Sequence, residues 1–384
     1  KLLQGVTTEV NGNCGISIAP VSDEYLDELV KYTSFIQAGQ TSEWNWRSLD
    51  DFLREIEQLP LSINAAFLVG QGTIRIAAMG FEGRTPTSSE LDKMKQLVTD
   101  SMEAGAFGIS TGLIYPPGVY SSTEELVEVT KPVATYGGVY CTHIRNESNR
   151  QLQAISEALT IGKKANVPVH ISHHKVGGIA NWGQSKDTLA AIDEARQMGQ
   201  DVTLDQYPYL AGATTLSVFL PPWAQEGGIN TMLQRLSDPV AREKIKDAIA
   251  NDSTWENLLL FSGGWKAALI TSAPKTPERE GKTLEELAQS INVDAGDLLL
   301  DTIRENGGSA SCCIFMMSEE DVKRIMKYPA VMVGSDGIAA PPGVKGHPRM
   351  AGTFVRVLGN YVRDNKALTI EQAIHKMTLL PARR

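Results

Sequence analysis

Short apolar runs alternate with amphipathic stretches over most of this 384-residue chain. The runs are rich in Val, Ile and Ala and end in polar residues or glycine, as buried strands do. The amphipathic stretches are typical of helices, and several start with Ser or Thr as N-cap. This alternation predicts an α/β fold, in which a parallel sheet is covered by helices. The predicted strands cover 6–14, 65–70, 106–111, 138–143, 167–173, 201–207 and 330–336.

The predicted helices lie between these strands, at 22–32, 87–105, 121–138, 148–165 and 185–199. An S-x-x-E pattern from Ser122 to Glu125 predicts a capping box at one of them. Residues 210–329 interrupt the alternation of predicted strands and helices. This segment is first rich in Trp, Gly and Pro and then helical, with one strand-like run at 267–274. We predict that 210–329 form an insertion before the last strand.

Seven parallel strands leave two architectures open. An open doubly wound sheet can stop at seven strands, whereas a (β/α)₈ barrel needs eight. Only helical sequence follows Asp336, at 353–364 and 369–379. A missing first strand would therefore precede Lys1, and the chain starts without Met. We expect residues 1–384 to be one barrel that lacks its first strand.

Composition narrows the functional classes. The net charge of −9 argues against nucleic-acid or anionic-membrane binding, since both need clustered Lys and Arg. The sequence contains no run of about twenty apolar residues, so it predicts no membrane span. Four cysteines in a chain of this length do not form a disulfide framework, so we expect reduced thiols and a cytoplasmic location.

Metal-ligand side chains stand at the ends of four predicted strands: Cys14, His143, His173 and Asp336. In parallel α/β folds the chemistry lies at the carboxyl ends of the strands. A thiolate, two imidazoles and a carboxylate suit Zn²⁺. Any one of these residues taken alone would more often be structural, but their joint placement predicts a zinc site.

Three of the six histidines fall in VPVHISHHK at 167–175. Alternate side chains of a strand face opposite sides, so His173 lies on one face and His170 and His174 lie on the other. Only one face can point into a site. We predict that His173 is the ligand and that His170 is structural, packed under a helix and hydrogen-bonded, and we leave His174 open.

GISTG at 108–112 fits the G-x-S-x-G nucleophile elbow, with Asp336 and His347 following in triad order. The elbow needs a helix directly after the serine, but Pro116 and Pro117 stop one. A strand end that turns into a loop is the better interpretation. GQGTIR at 70–75 lacks the third glycine of a dinucleotide-binding turn.

The motifs GVTTEVNGNCGISIAP, STGLIYPPGVYS, THIRNES, HISHHKVGG, YPYLAG and GSDG with HPRMAGTFVRVLG occur in this order over nearly the whole chain. They resemble the N-acyl-D-amino-acid deacylases (D-aminoacylases) of the amidohydrolase superfamily. The resemblance implies a TIM barrel of the amidohydrolase type with one tightly held zinc. Its ligands would be Cys14, His143 and His173.

The same resemblance implies further site residues. Asp336 matches the catalytic acid and base. Lys175, Tyr207 and Arg349 match the residues that bind the substrate carboxylate, with Tyr209 competing for the role of Tyr207. The implied reaction is hydrolysis of the amide of a small N-acyl-D-amino acid by zinc-activated water.

The chain departs from the family pattern in two respects. The family carries an H-x-H pair on its first barrel strand, but this chain has no histidine before His143. The small β-sandwich domain of the family, which is built from both termini of its members, is also missing from this chain. We therefore expect one tight metal site, a doubtful second one, and an incomplete barrel. Two alternatives stay open: a cyclic-amide hydrolase such as a hydantoinase or dihydroorotase, and an inactive truncated barrel.

Overall fold

The structure is a computed structural model that describes residues 1–36, 43–338 and 345–384. Its strands are β1 (Thr8–Asn11), β2 (Asn64–Phe67), β3 (Val69–Gly70), β4 (Gly108–Gly112), β5 (Val139–His143), β6 (Val169–Ile171), β7 (Val202–Gln206), β8 (Ala211–Thr215), β9 (Ala268–Ser272), β10 (Ser311–Phe315) and β11 (Val331–Val333).

A parallel sheet organises the molecule. Strands β3, β4, β5, β6, β7 and β11 lie side by side in that order, and β1 pairs in parallel with β2. Only Leu68 separates β2 from β3, so these two continue one strand, and Leu68 N donates to Asn11 O (2.8 Å). The seven predicted parallel strand positions are therefore present. Among the described residues β1 pairs only with β2 and β11 only with β7, and an eighth strand between them stays a prediction.

Helices cover the outer face of this sheet. They are α2 (Leu49–Glu57), α3 (Gln71–Met79), α4 (Ser88–Glu103), α5 (Thr123–Thr135), α6 (Gln151–Ala165) and α7 (Ser185–Gln197), whereas α1 (Leu26–Tyr32) packs Leu29 into a separate small cluster with Ile76 and Phe81. Val69, Ile109, Tyr140, Val169 and Leu204 project from successive strands into one buried cluster with these helices. The opposite sides of the strands and the loops at their carboxyl ends are thereby left for polar residues.

Residues 210–329 build a second layer. Strands β8, β10 and β9 form an antiparallel sheet in that order. The helices here are α8 (Pro222–Gln225), α9 (Gly228–Arg235), α10 (Pro239–Asn251), α11 (Leu258–Ser262), α12 (Leu284–Ile291), α13 (Ala295–Glu305) and α14 (Glu319–Lys327). The strand expected at 267–274 is β9. Strands β8 and β10 were not expected, because AGATT and SCCIF lack a clear apolar alternation.

The chain ends in α15 (Arg349–Arg356), a π-helical segment (Val357–Asp364), α16 (Ile370–Met377) and α17 (Leu379–Ala382). Val357 and Tyr361 are buried in the same core as the antiparallel sheet, so the inserted layer and the C-terminal helices share one hydrophobic cluster. No helix within the described ranges is long and apolar enough to cross a bilayer.

The capping box expected at Ser122 forms only in part. The Ser122 side chain accepts the backbone N–H of Glu125 (3.1 Å), as a cap should. The Glu125 carboxylate does not return to the cap, because it binds the buried Arg75 guanidinium at 2.6 Å. A tertiary ion pair thus replaces the local half of the motif.

Candidate metal centre

Cys14, His143 and His173 converge at the carboxyl ends of three parallel strands. Cys14 follows β1, His143 is the last residue of β5, and His173 follows β6. One donor atom from each residue lies within 4.8 Å of the others. Cys14 Sγ is 3.3 Å from His173 Nε2, and the two imidazole rings meet edge to face at 4.5 Å. Side chains that are far apart in the sequence therefore share one small volume.

The backbone is bent at these positions. Cys14, His173 and Asp336 have φ values of 55°, 38° and 46°, in the left-handed region that non-glycine residues seldom occupy. Each such residue costs on the order of 1–3 kcal/mol, and the cost is characteristic of functional sites. Gly112 allows the bend at Cys14, because a Cβ there would lie 2.0 Å from Cys14 O.

His143 has the environment of a neutral ligand. Its side chain is buried, and neither ring nitrogen has a hydrogen-bond partner among the described residues. Burial lowers the pKa of His143 well below its ordinary value, against the attraction of Glu147. Because a buried imidazole normally finds a hydrogen-bond partner, two unpartnered nitrogens on a ring beside the Cys14 thiol and the His173 imidazole suit a metal ligand.

His173 is held from two sides. Its backbone N–H donates to Asp205 Oδ1 (2.8 Å), and its Nδ1 lies 3.2 Å from Glu147 Oε1. Burial lowers the pKa of His173, but Cys14 and Glu147 outweigh burial and raise it well above its usual value. A carboxylate behind a ligand histidine fixes the ring and increases its basicity. Nε2 is thereby presented to Cys14.

Glu147 is the central residue that the sequence reasoning missed. Its buried carboxylate lies 3.6 Å from His143 Nε2, 3.2 Å from His173 Nδ1 and 2.5 Å from Lys175 Nζ. Burial raises the pKa of Glu147, but His143, Lys175 and His173 outweigh it and hold the pKa well below the ordinary range. The available signal was its place in THIRNES, four residues after His143.

The inserted layer contacts the backbone of Glu147. Glu256, just before α11, accepts the Glu147 backbone N–H at 2.7 Å. Burial and the nearby Glu147 charge raise the pKa of Glu256 to about 8. Burial and the neighbouring carboxylate thus favour the neutral form of Glu256, whose side chain supports the loop after β5.

Lys175 lies behind the metal-ligand cluster. Its buried ammonium donates to Glu147 Oε1 (2.5 Å), and Nζ also lies 2.7 Å from His173 Nδ1. Glu147 raises the pKa of Lys175, although burial opposes it. The ammonium also lies 5.8 Å from the centre of the Tyr207 ring.

Asp336 and Arg349 form the second half of the site. Arg349 Nη1 lies 2.7 Å from Asp336 Oδ2, and Nη2 donates to Ala213 O (3.2 Å). The guanidinium stacks over Tyr207 at 4.7 Å. Tyr209 instead contacts His347, with ring centres 5.0 Å apart. Of the two tyrosines weighed from the sequence, Tyr207 is the one beside both cations.

The expected position of His170 is wrong. His170 does not pack under a helix. It bonds Asp205 Oδ2 (2.7 Å) and Thr203 Oγ1 (2.9 Å), whereas Val169 on the opposite side meets helix α6. The strand ends at Ile171 and the left-handed φ of His173 resets the alternation. The alternation of side chains between the two faces of the strand therefore does not continue after residue 171.

Two other motifs have structural roles. His174 Nε2 lies 3.1 Å from Thr188 Oγ1 on α7, which places His174 on the helix side. Ser110 of GISTG lies inside β4, where it accepts Gly15 N–H and donates to Gly12 O. It holds the loop that carries Cys14, and no helix follows β4 directly.

The donor set fits a metal ion. One sulfur and two imidazole nitrogens are a zinc-type set, and three protein ligands leave a coordination position free for chemistry. The Glu147 carboxylate supplies the outer partner that ligand histidines usually have. Cys14, His143 and His173 are therefore the described residues that could hold the ion.

Known proteins resemble this chain over its whole length. The model of the amidohydrolase family matches residues 1–384. The chain is similar to a D-aminoacylase of Alcaligenes xylosoxydans xylosoxydans, with 37% identity over 391 residues, covering 100% of this chain and 68% of the relative. An N-acyl-D-glutamate deacylase of the same organism is 35% identical over 383 residues, covering 100% and 67%. The chain thus spans about two thirds of the length of these relatives.

Solved structures give the same result. A D-aminoacylase crystal structure superposes with a TM-score of 0.77 at 38% identity, covering 100% of this chain and 69% of that one. An N-acyl-D-glutamate deacylase from Bordetella bronchiseptica has a TM-score of 0.79 at 33% identity, with the same coverage. That enzyme was solved with zinc and a phosphonate inhibitor that mimics the tetrahedral intermediate. Another D-aminoacylase structure concerns a binuclear metal centre.

Proposed function

The chain belongs to the amidohydrolase family, and from this premise we propose that it is a zinc-dependent deacylase of N-acyl-D-amino acids. The products are a carboxylic acid and a D-amino acid. One observation carries the proposal: the donor atoms of Cys14, His143 and His173 lie within 4.8 Å of one another. The relatives named above, which cleave linear amides of D-amino acids, support the substrate class.

Cys14, His143 and His173 would hold the zinc. When bound there, zinc would supply a Lewis acid that lowers the pKa of a water molecule and polarises the scissile carbonyl. Glu147 keeps the His173 ring in place, because its carboxylate lies 3.2 Å from Nδ1. Lys175 balances that carboxylate at 2.5 Å, so the buried negative charge does not stand alone.

Asp336 moves the proton. Its carboxylate accepts a proton from the attacking water and delivers it to the amine nitrogen, which is a poor leaving group unless protonated. Arg349 Nη1, 2.7 Å from Oδ2, holds this carboxylate in a fixed position.

Arg349, Tyr207 and Lys175 bind the amino-acid carboxylate. Arg349 has five N–H donors in a planar fork, of which Asp336 and Ala213 engage only two. Stacking on Tyr207 fixes the plane of that fork. A carboxylate anchored at a fixed distance from the zinc lets only one enantiomer present its amide carbonyl, which gives selectivity for the D-isomer.

The test compares N-acetyl-D-amino acids, N-acetyl-L-amino acids and hydantoins as substrates of the purified protein, together with elemental analysis. Turnover of the D-amides alone, with about one zinc per chain, is expected. Hydantoin cleavage without D-amide cleavage would identify a cyclic-amide hydrolase instead. Absence of zinc and of all turnover would identify the inactive barrel.

A further inference from the structure

The backbone at His173 has a conformation that the residue would not keep by itself. Its φ of 38° lies in the left-handed region, which histidine seldom occupies, and the bend comes just after the end of β6. Such a conformation persists only where neighbouring groups fix it. Because His173 Nε2 lies 3.3 Å from Cys14 Sγ, any change in the bend displaces a candidate zinc ligand.

Asp205, on the neighbouring strand β7, binds this bend twice. Its carboxylate oxygen Oδ1 accepts the backbone N–H of His173 at 2.8 Å, and its backbone carbonyl accepts the N–H of His174 at 2.7 Å. The parallel pairing of β6 with β7 sets the height of Asp205 along the sheet. Two successive amides of the bend are therefore held by one residue.

The Asp205 carboxylate is itself oriented by a histidine. Its other oxygen, Oδ2, lies 2.7 Å from His170 Nε2, and Nδ1 of the same ring lies 2.9 Å from Thr203 Oγ1. An ionised carboxylate accepts and does not donate, so His170 Nε2 is the donor of this bond. Both carboxylate oxygens are thus engaged, and His170 directs Oδ1 at the backbone of His173.

The strand on the other side of Asp205 leaves room for this carboxylate. Strand β11 pairs with β7, and Gly334 follows the last residue of β11. A Cβ on Gly334 would lie 2.8 Å from Asp205 Oδ1, which is too close for a carbon–oxygen contact. The carboxylate is the part that can move, and its movement would break the bond to His173. A methyl group on a different strand would therefore disturb the same contact.

We propose that Asp205 is a positioning residue, which fixes the zinc ligand His173 through its backbone and is itself held by His170. The inference rests on the proposed function and adds a second anchor to the metal centre. Glu147 orients the His173 ring at Nδ1, whereas Asp205 fixes the backbone from which that ring projects. Loss of the Asp205 contact leaves all three ligands present but one of them misplaced, so zinc binds more weakly.

The test measures zinc affinity by competition with a chelator, and stability by urea unfolding in excess chelator, on the full chain. Asp205→Ala is expected to lower zinc affinity about tenfold or more. Asp205→Asn should stay within about threefold of the wild type, because its amide oxygen still accepts the His173 N–H. Gly334→Ala should also lower zinc affinity about tenfold. The d–d absorption of the Co²⁺-loaded protein, which reports ligand geometry, should shift in both weakened variants.

Two controls separate positioning from stability. Asp321→Ala removes a buried carboxylate that accepts the backbone N–H of Gly183 at 2.8 Å, and Gly359→Ala adds a methyl group that meets nothing nearer than 3.9 Å. Both should bind zinc as tightly as the wild type, although Asp321→Ala should unfold at a lower urea concentration.

Wild-type zinc affinity in Asp205→Ala would overturn the proposal, as would an equal loss of affinity in Asp321→Ala or in Asp205→Asn. Gly334→Ala decides the question if Asp205→Ala does not fold. A wild-type protein that binds zinc but cleaves no N-acyl-D-amino acid would refute the proposed function alone, since zinc affinity still reports the role of Asp205. A wild-type protein without zinc affinity would overturn both.

Discussion

Replacing Glu147 by Gln tests how the centre is built. The substitution keeps the shape and removes the charge, so the Lys175 ammonium, 2.5 Å away, is left without a counter-ion in a buried site. Breaking one side of a buried ion pair costs about 3–5 kcal/mol. Because the amide still accepts a hydrogen bond, we expect the lower end, about 3 kcal/mol of unfolding free energy.

Zinc affinity should fall as well. Loss of an outer partner of a ligand histidine lowers metal affinity about 10- to 100-fold, and Glu147 lies against both His143 and His173. The assay combines zinc competition against a chelator with urea unfolding in excess chelator, which separates lost zinc from lost stability.

Glu157→Gln is the matched control. It removes a partly buried carboxylate on α6 that binds Thr123 Oγ1 at 2.8 Å and Arg145 at 2.8 Å, the latter in the loop that also carries Glu147. We expect a smaller stability loss and unchanged zinc affinity. If Glu147→Gln binds zinc as tightly as the wild type and unfolds at the same urea concentration, the argument that this carboxylate organises the centre is refuted.

Three further predictions concern separate parts of the site. Asp336→Asn should lower kcat at least about 100-fold and keep the zinc content, because the proton carrier is lost and the ligands are not; near-normal turnover would contradict its role. His347→Ala should raise KM about tenfold or more with little change in kcat, because His347 Nδ1 accepts the backbone N–H of Arg349 (3.0 Å) and Nε2 binds Ala211 O (2.9 Å), which fixes the first residue of α15, the one that carries the guanidinium. Burial lowers the pKa of His174 from 6.5 to about 4, so the unfolded chain binds the extra proton between these values and stability is lost as pH falls through that range. The loss at pH 5 is about 2 kcal/mol, and His174→Gln should show less of it in urea unfolding at pH 7 and pH 5.

The sequence predicts the parallel-sheet layer well, because buried strands leave a strong local signal. Runs such as 138–143 and 201–207 match β5 and β7 within a residue at each end. Strands β8 and β10 leave no such signal, since AGATT is small and weakly apolar and SCCIF resembles any short buried segment. Their pairing is a tertiary effect.

The site residues also divide into those that the sequence predicts and those that it does not. Strand ends single out Cys14 and His143, because a parallel sheet brings carboxyl ends together. Glu147 lies in a loop, and nothing local distinguishes it from a surface carboxylate until His173 and Lys175 are placed beside it. The left-handed φ of His173 is equally invisible in the sequence, which is why the alternation argument misplaced His170.

The most direct test of the central claim is zinc K-edge X-ray absorption on the purified protein. One sulfur at about 2.3 Å with nitrogen and oxygen neighbours at about 2.0–2.1 Å is predicted, and the sulfur contribution should vanish in Cys14→Ser. A first shell of nitrogen and oxygen alone in the wild-type protein would contradict the assignment of Cys14, His143 and His173 to one ion.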